Sequence, residues 1–151
     1  MRNHATYPFF QCYFAELRDS SPAPGVSEKP QIVGFAYGFH GAPGQWWHDV
    51  VLRALAEQSG REVANAWLGN AFELAEIHVH PDYQSKGIGR AMIRTLCAGR
   101  RERTAVLSTH DRPTAARRLY ASMGFRDLLT RFVFPGGFEE YVIAGRPLPL
   151  A

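Results

Sequence analysis

The period of the hydrophobic pattern changes several times along the chain. Residues 7–17 are dense in aromatics (Tyr7, Phe9, Phe10, Tyr13, Phe14) and read as a strand. Residues 19–30 are rich in Ser, Pro and Gly and read as a mobile loop, and residues 31–40 (QIVGFAYGFH) return to strand character. The two runs predict an antiparallel hairpin. After the break at Gly41-Ala42-Pro43-Gly44, apolar residues recur near helical spacing from Trp46 to about Ala66 (Trp47, Val50, Val51, Ala54, Leu55). Ser59-Gly60 interrupts that pattern, which predicts one helix followed by a second short one.

The second half alternates more regularly. Residues 72–79 form a third strand ended by Pro81, and residues 89–98 carry Ala91, Met92, Ile93, Leu96 and Cys97 at amphipathic-helix spacing. Residues 104–109 (TAVLST) read as a buried strand, and residues 114–123 as a helix stopped by Gly124. Residues 126–133 and 139–144 are two strands joined through Pro135-Gly136-Gly137, and residues 146–151 read as a Pro-rich tail. Strands alternating with helices and closing on a hairpin predict an α/β (α+β) fold, a central mixed β-sheet flanked by helices on both faces. With no internal repeat and no long linker, residues 1–151 read as a single domain.

Composition narrows the class. A chain of 151 residues with 46% hydrophobic and 21% charged residues is ordinary for a globular domain and excludes wholesale disorder. No uncharged apolar run approaches the ~18 residues of a membrane span. The opening Met1-Arg2-Asn3-His4 lacks the apolar stretch of a secretory signal. Cys12 and Cys97 are too few for a disulfide framework. The expectation is a soluble cytoplasmic protein with no membrane partner.

The charge balance is +3, and its placement matters more than its size. Arg90, Arg94, Arg100, Arg101 and Arg103 crowd one stretch, enough to attract a phosphate-bearing ligand, although a solvated helix face explains any one of them equally well. No zinc-finger, RNP or other nucleic-acid motif is present, so nucleic acid is not an expected partner.

The segment that carries chemistry is Glu76-Ile77-His78-Val79-His80-Pro81-Asp82-Tyr83-Gln84-Ser85-Lys86-Gly87-Ile88-Gly89-Arg90. A strand runs into a turn with two glycines and then directly into a helix. Such a junction presents unpaired backbone N–H groups and the positive end of the helix dipole, which suit a pyrophosphate. Gly87 and Gly89 let backbone approach the phosphates, and Lys86 and Arg90 add charge. It is neither a Walker loop nor the dinucleotide fingerprint, because the Gly-Lys-Ser/Thr and the third glycine are missing.

Gln84-x-x-Gly87-x-Gly89 after a strand ending in Val79 resembles the acetyl-CoA pyrophosphate loop of the GNAT (Gcn5-related) N-acetyltransferase superfamily. Downstream, Leu119-Tyr120 followed by Gly124-Phe125 is similar to that family's second signature. The resemblance is strongest over residues 72–126. It implies an acetyl-CoA-dependent N-acetyltransferase, with no metal, that passes an acetyl group to a primary amine of a small molecule or peptide by direct attack in a ternary complex. It places the pyrophosphate on Gln84, Ser85, Lys86, Gly87, Ile88, Gly89 and Arg90. The Ile77 N–H would face the thioester carbonyl, and Val79 would pair with the pantetheine amide. Tyr120 matches the residue that protonates the leaving thiolate. Glu76 is the candidate base for the amine, with Glu73 second, and strand alternation lets His78 share the proton transfer.

Two departures from the family pattern stand out. The family's frequent Asn at the start of the second signature helix is replaced by Pro113, after Asp111 and Arg112. The N-terminal strand–helix region, which normally walls the acceptor site, reads as shortened. Trp46, Trp47 and Trp67 are expected either to line that site in its place or to be core, and a homodimer partner is another way to cover the opened edge. Two other functions remain: an acyl-CoA-binding sensor or partner domain without turnover, and a metal-dependent hydrolase using His78 and His80 with Asp82 or His110.

Overall fold

The computed structural model describes residues 4–17 and 30–150. The serine- and proline-rich segment expected to be a loop falls, apart from Pro30, outside the described residues. Six strands, β1 (Gln11–Leu17), β2 (Gln31–His40), β3 (Ala71–Val79), β4 (Thr104–His110), β5 (Arg126–Phe132) and β6 (Tyr141–Pro147), form one sheet in the order β1-β2-β3-β4-β6-β5. All neighbours are antiparallel except β3 and β4. Four helices cover it: α1 (Trp46–Ser59), α2 (Arg61–Leu68), α3 (Ile88–Cys97) and α4 (Ala115–Ser122). None of the described helices is long and apolar enough to cross a membrane.

Alternation along the strands splits the core into two layers. Ala36, Phe72, Leu74, Ala105, Leu107, Val142 and Ala144 pack with Met92, Ile93, Leu96 and Cys97 of α3 and with Tyr120 of α4. On the opposite face Ala71, Val106, Leu129 and Ile143 meet Val51, Leu55, Ala64 and Leu68 of α1 and α2. This is the mixed sheet with helices on both faces that the pattern predicts. The break between α1 and α2 is Gly60, whose φ of 93° and ψ of 160° lie where an L side chain is strained.

Two irregularities position the site. Pairing between β2 and β3 jumps from Tyr37↔Glu76 to Gly38↔Leu74, so Ala75 is an extra residue bulged out of β3. The bulge resets the alternation. Phe72 and Leu74 join the α3/α4 layer before it, as Ile77 and Val79 do after it, so Glu73 and Glu76 share the other face. The second irregularity is that β3 and β4 pair only over Ala71↔Thr104, Phe72↔Ala105 and Glu73↔Val106. Beyond Val106, β4 continues to pair with β6 as far as His110↔Tyr141. The two parallel strands therefore splay, leaving a wedge at the centre of the sheet.

β6 runs on through Arg146 and Pro147, where the composition predicts a Pro-rich tail. Pro147 lies opposite Thr104, where β4 begins, and Arg146 donates to the Met123 carbonyl at 2.8 Å. A proline is admissible there because Leu148 N–H donates to the Arg103 carbonyl, which turns the Pro147 nitrogen away from β4, past the terminal β5 pair Arg126↔Gly145, where no ladder hydrogen bond is lost.

Candidate active site

The backbone edge of β3 lines the wedge. His80 N–H donates to the Val33 carbonyl at 2.7 Å, so His80 turns its backbone polar groups toward β2. Alternation then turns those of Val79 and Ile77 the other way, toward the gap where β4 has departed. The Val79 carbonyl is taken by the Gln84 side-chain amide at 3.1 Å, which ties the following turn back to the strand.

That turn begins with a single 3-10 turn over Pro81–Tyr83, capped by the His80 side chain, which accepts from Asp82 N–H at 3.1 Å. Ser85 has φ 62°, and Gly87, the residue before α3, sits in the left-handed region at φ 85°. No side chain caps α3; its amphipathic pattern buries Met92, Ile93, Leu96 and Cys97 and holds its N-terminus against the wedge. The first-turn N–H groups of α3 have no intrahelical acceptor, and the dipole adds positive potential there.

A cavity of about 490 Å³ joins these parts. Ile77 and Val79 form its strand wall, and Gln84, Ser85, Gly87, Ile88, Gly89 and Arg90 its loop-and-helix wall. Thr114, Ala115, Ala116, Leu119 and Tyr120 close the far side. Eight of the nine loop and strand residues singled out from the sequence line it. Lys86 does not; its ammonium stands 5.4 Å from the centre of the Tyr83 ring. Arg90 bridges α3 to α4 by donating to Ser122 Oγ at 2.7 Å. Thr114 caps α4, its Oγ1 accepting from Arg117 N–H at 3.1 Å. Thr114, next to the Pro113 that replaces the family's Asn, is thus both helix cap and cavity wall.

Tyr120 is buried beneath this cavity, edge-on to Phe125 at 6.0 Å. Burial, reinforced by the negative charge of Glu76, pushes its phenol up to about 12. A second cavity of about 520 Å³ opens on the α1 face and is lined by His4, Trp46, Trp47, Ser108, Glu73, Leu74, Ala75 and Glu76. The bulge at Ala75 brings both carboxylates to it. Trp47 Nε1 donates to Ser108 Oγ at 3.4 Å, holding the indole across the mouth of the wedge. Tyr37 feels the same charge: its phenol is raised by burial, then by Glu76 and Glu73. Glu76 in turn meets His78, with Nε2 to Oε2 at 2.5 Å.

Other sequence expectations land elsewhere. Trp67 does not line the second cavity; it packs in the α1/α2 layer, with the Arg126 guanidinium 5.2 Å from its ring. The arginine cluster disperses: Arg100 is buried against Glu102 at 2.5 Å and lies 4.0 Å from the Phe72 ring, so it is a core cation rather than a phosphate ligand. His78, His80 and His110 face different carboxylates, Glu76, Asp82 and Glu139. Among the described residues, no group of three or more His, Cys, Asp or Glu could hold a metal ion.

The family model described as Acetyltransferase (GNAT) domain matches residues 44–127. A GCN5-like protein acetyltransferase of Mycobacterium tuberculosis is 39% identical over 142 residues, covering 90% of this chain and 69% of the relative. Among solved structures, the NatC complex bound to Gag peptide and CoA superposes with TM-score 0.58 at 16% identity, over 91% of this chain and 71% of that one. NAA60 of Arabidopsis thaliana in complex with a bisubstrate analogue gives TM-score 0.56 at 18% identity, over 86% and 72%. At these identities the two structures establish the fold.

Proposed function

The chain belongs to the GNAT acetyltransferase family, and from that premise we propose that it transfers the acetyl group of acetyl-CoA to a primary amine by direct attack in a ternary complex. The observation that carries this reading is the wedge between β3 and β4. It sets an anion-suited turn, two open backbone N–H groups and a buried tyrosine along one cavity. The pyrophosphate rests on residues 84–90 and the pantetheine arm runs along Val79 and Ile77. The Ile77 N–H then meets the thioester oxygen. A fixed N–H at the carbonyl that becomes an oxyanion is usually the largest electrostatic contribution to acyl transfer.

The acceptor enters from the other side. Two carboxylates and two indoles, Glu73, Glu76, Trp46 and Trp47, attract a cationic amine. An amine with a pKa near 10.4 arrives as ammonium, and Glu76 takes its proton before attack. The name of the mycobacterial relative, a protein acetyltransferase, supports a polypeptide amine as acceptor.

Tyr120 serves the leaving group. A phenol at about 12 donates to a thiolate near pKa 8.5 against a gradient of roughly 5 kcal/mol. The donation is therefore coupled to loss of a proton from the attacking nitrogen, which becomes strongly acidic as the amide forms. Cys97 is buried in the core and Cys12 lies on the edge strand, away from both cavities, so no covalent acyl-enzyme is part of the reading. The test is release of CoA thiol from acetyl-CoA across a panel of amines and lysine-bearing peptides. Turnover that depends on Tyr120 supports transfer; tight acetyl-CoA binding with no turnover on any acceptor supports a sensor instead.

A further inference from the structure

We propose that His78 is a positioning residue of this reaction, carrying the acceptor's proton from Glu76 out to solvent; the inference rests on the reading of Glu76 as the base. After the bulge, residues 76 and 78 share a face of β3, and His78 Nε2 lies 2.5 Å from Glu76 Oε2. The imidazole is tilted 34° to the Phe35 ring at 5.0 Å, so its plane is held by packing as well as by the carboxylate. The side chains are 58% exposed for His78 and 43% for Glu76. The pair therefore spans from the acceptor cavity, which Glu76 lines, to water, which His78 reaches.

A carboxylate that takes a proton in every turnover must also lose it in every turnover. With the acceptor seated between Trp46, Trp47 and the wedge, the cavity side of Glu76 is occupied. The oxygen in contact with His78 offers a route to solvent on the side away from the acceptor. While Glu76 is ionised, Nε2–H donates to its carboxylate. Once Glu76 has taken the ammonium proton, exchange with water at the exposed ring moves the ring proton to Nδ1, and Nε2 accepts from the carboxyl. The proton then passes from Glu76 to Nε2, and the imidazolium gives up its Nδ1 proton to water. One proton enters and one leaves, and the pair returns to its starting state. An imidazole can accept on one nitrogen and release from the other, which suits it to both steps.

The test compares His78→Ala, His78→Gln and Glu76→Gln in the steady state, with acetyl-CoA affinity measured separately by calorimetry. Glutamine can still donate to Glu76 and hold it in place, but it cannot carry a proton. The expected result is a fall in kcat of about 10- to 100-fold in both His78 variants, at the lower end of what a proton-transfer group supplies. Acetyl-CoA affinity should not change, and added imidazole should restore His78→Ala but not Glu76→Gln. Wild-type turnover in His78→Gln, or no rescue of His78→Ala by imidazole, overturns the relay and leaves Glu76 as base. Wild-type turnover in Glu76→Gln overturns the base assignment and the relay together.

Discussion

Glu73 and Val106 form the last residue pair between β3 and β4. Past that pair the strands separate, and the edge of β3 bearing Ile77 and Val79 is left unpaired beside the N-terminus of α3. The wedge and the turn make one continuous cavity. The consequences can be tested residue by residue.

Gly89 sits in the first turn of α3, where an added Cβ would come 3.0 Å from Leu119 Cδ2 and 4.0 Å from Val79 Cγ2. The leucine end can give by a few tenths of an ångström, so the fold survives substitution. Gly89→Asp places a negative charge against the phosphate-suited backbone. Acetyl-CoA affinity is expected to drop at least tenfold, about 1.4 kcal/mol, by calorimetry, with little change in Tm.

Tyr120→Phe removes the proposed acid while keeping the ring that packs on Phe125. Turnover should fall ~10- to 1000-fold with acetyl-CoA affinity nearly unchanged. The raised phenol adds a pH signature. An unfolded tyrosine ionises near 10 and Tyr120 at about 12. Between those values the unfolded chain has lost a proton that the folded chain keeps, so stability falls as pH rises through that window. Denaturant unfolding at several alkaline pH values should show a smaller fall in the Phe variant.

The Arg100–Glu102 pair is structural. Both side chains are buried, and His40 Nδ1 also meets Glu102 at 3.1 Å. Burial alone would raise the Glu102 carboxyl, but hydrogen bonds from Arg100, its own backbone and His40 hold it below its usual 4.5. Glu102→Gln leaves Arg100 buried without a counter-charge and should cost about 3–5 kcal/mol in urea unfolding. A depressed carboxylate stabilises the fold above its unfolded pKa, and that contribution is lost as pH falls through the folded value. The variant should therefore show a flatter acid limb than the wild type below pH 4.5.

Gly60 tests the backbone rather than the chemistry. Nothing lies within 4 Å of a Cβ placed there, so Gly60→Ala meets no clash, and its cost comes from φ 93° alone. About 1–3 kcal/mol is expected for a side chain in that region, read from the urea midpoint at unchanged activity.

Much of this was legible in the sequence because it was periodic. Strand alternation and helical spacing locate the elements, and Gly60 marks the break between α1 and α2. Gln84, Gly87 and Gly89 announce the turn because backbone near an anion needs glycine. What escaped the sequence was set by irregularity or by distant partners. The bulge at Ala75 leaves no mark in composition, yet it brings Glu73 beside Glu76. β6 extends into a proline-rich run because Pro147 finds Thr104 opposite it. Trp67 and Arg100 have the chemistry of site residues, but the packing that engages them comes from β5 and from Glu102. His78 was visible as a same-face neighbour of Glu76; the contact between them required the fold.

The most direct measurement of the central claim follows acetyl transfer itself, by mass spectrometry of an amine or lysine-bearing peptide together with free CoA thiol, in wild type and Tyr120→Phe at saturating acetyl-CoA. The account predicts one acetylated product per thiol released, and a rate at least tenfold lower in the variant. Equal rates in the two proteins, or bound acetyl-CoA with no acetylated product on any acceptor, would contradict it.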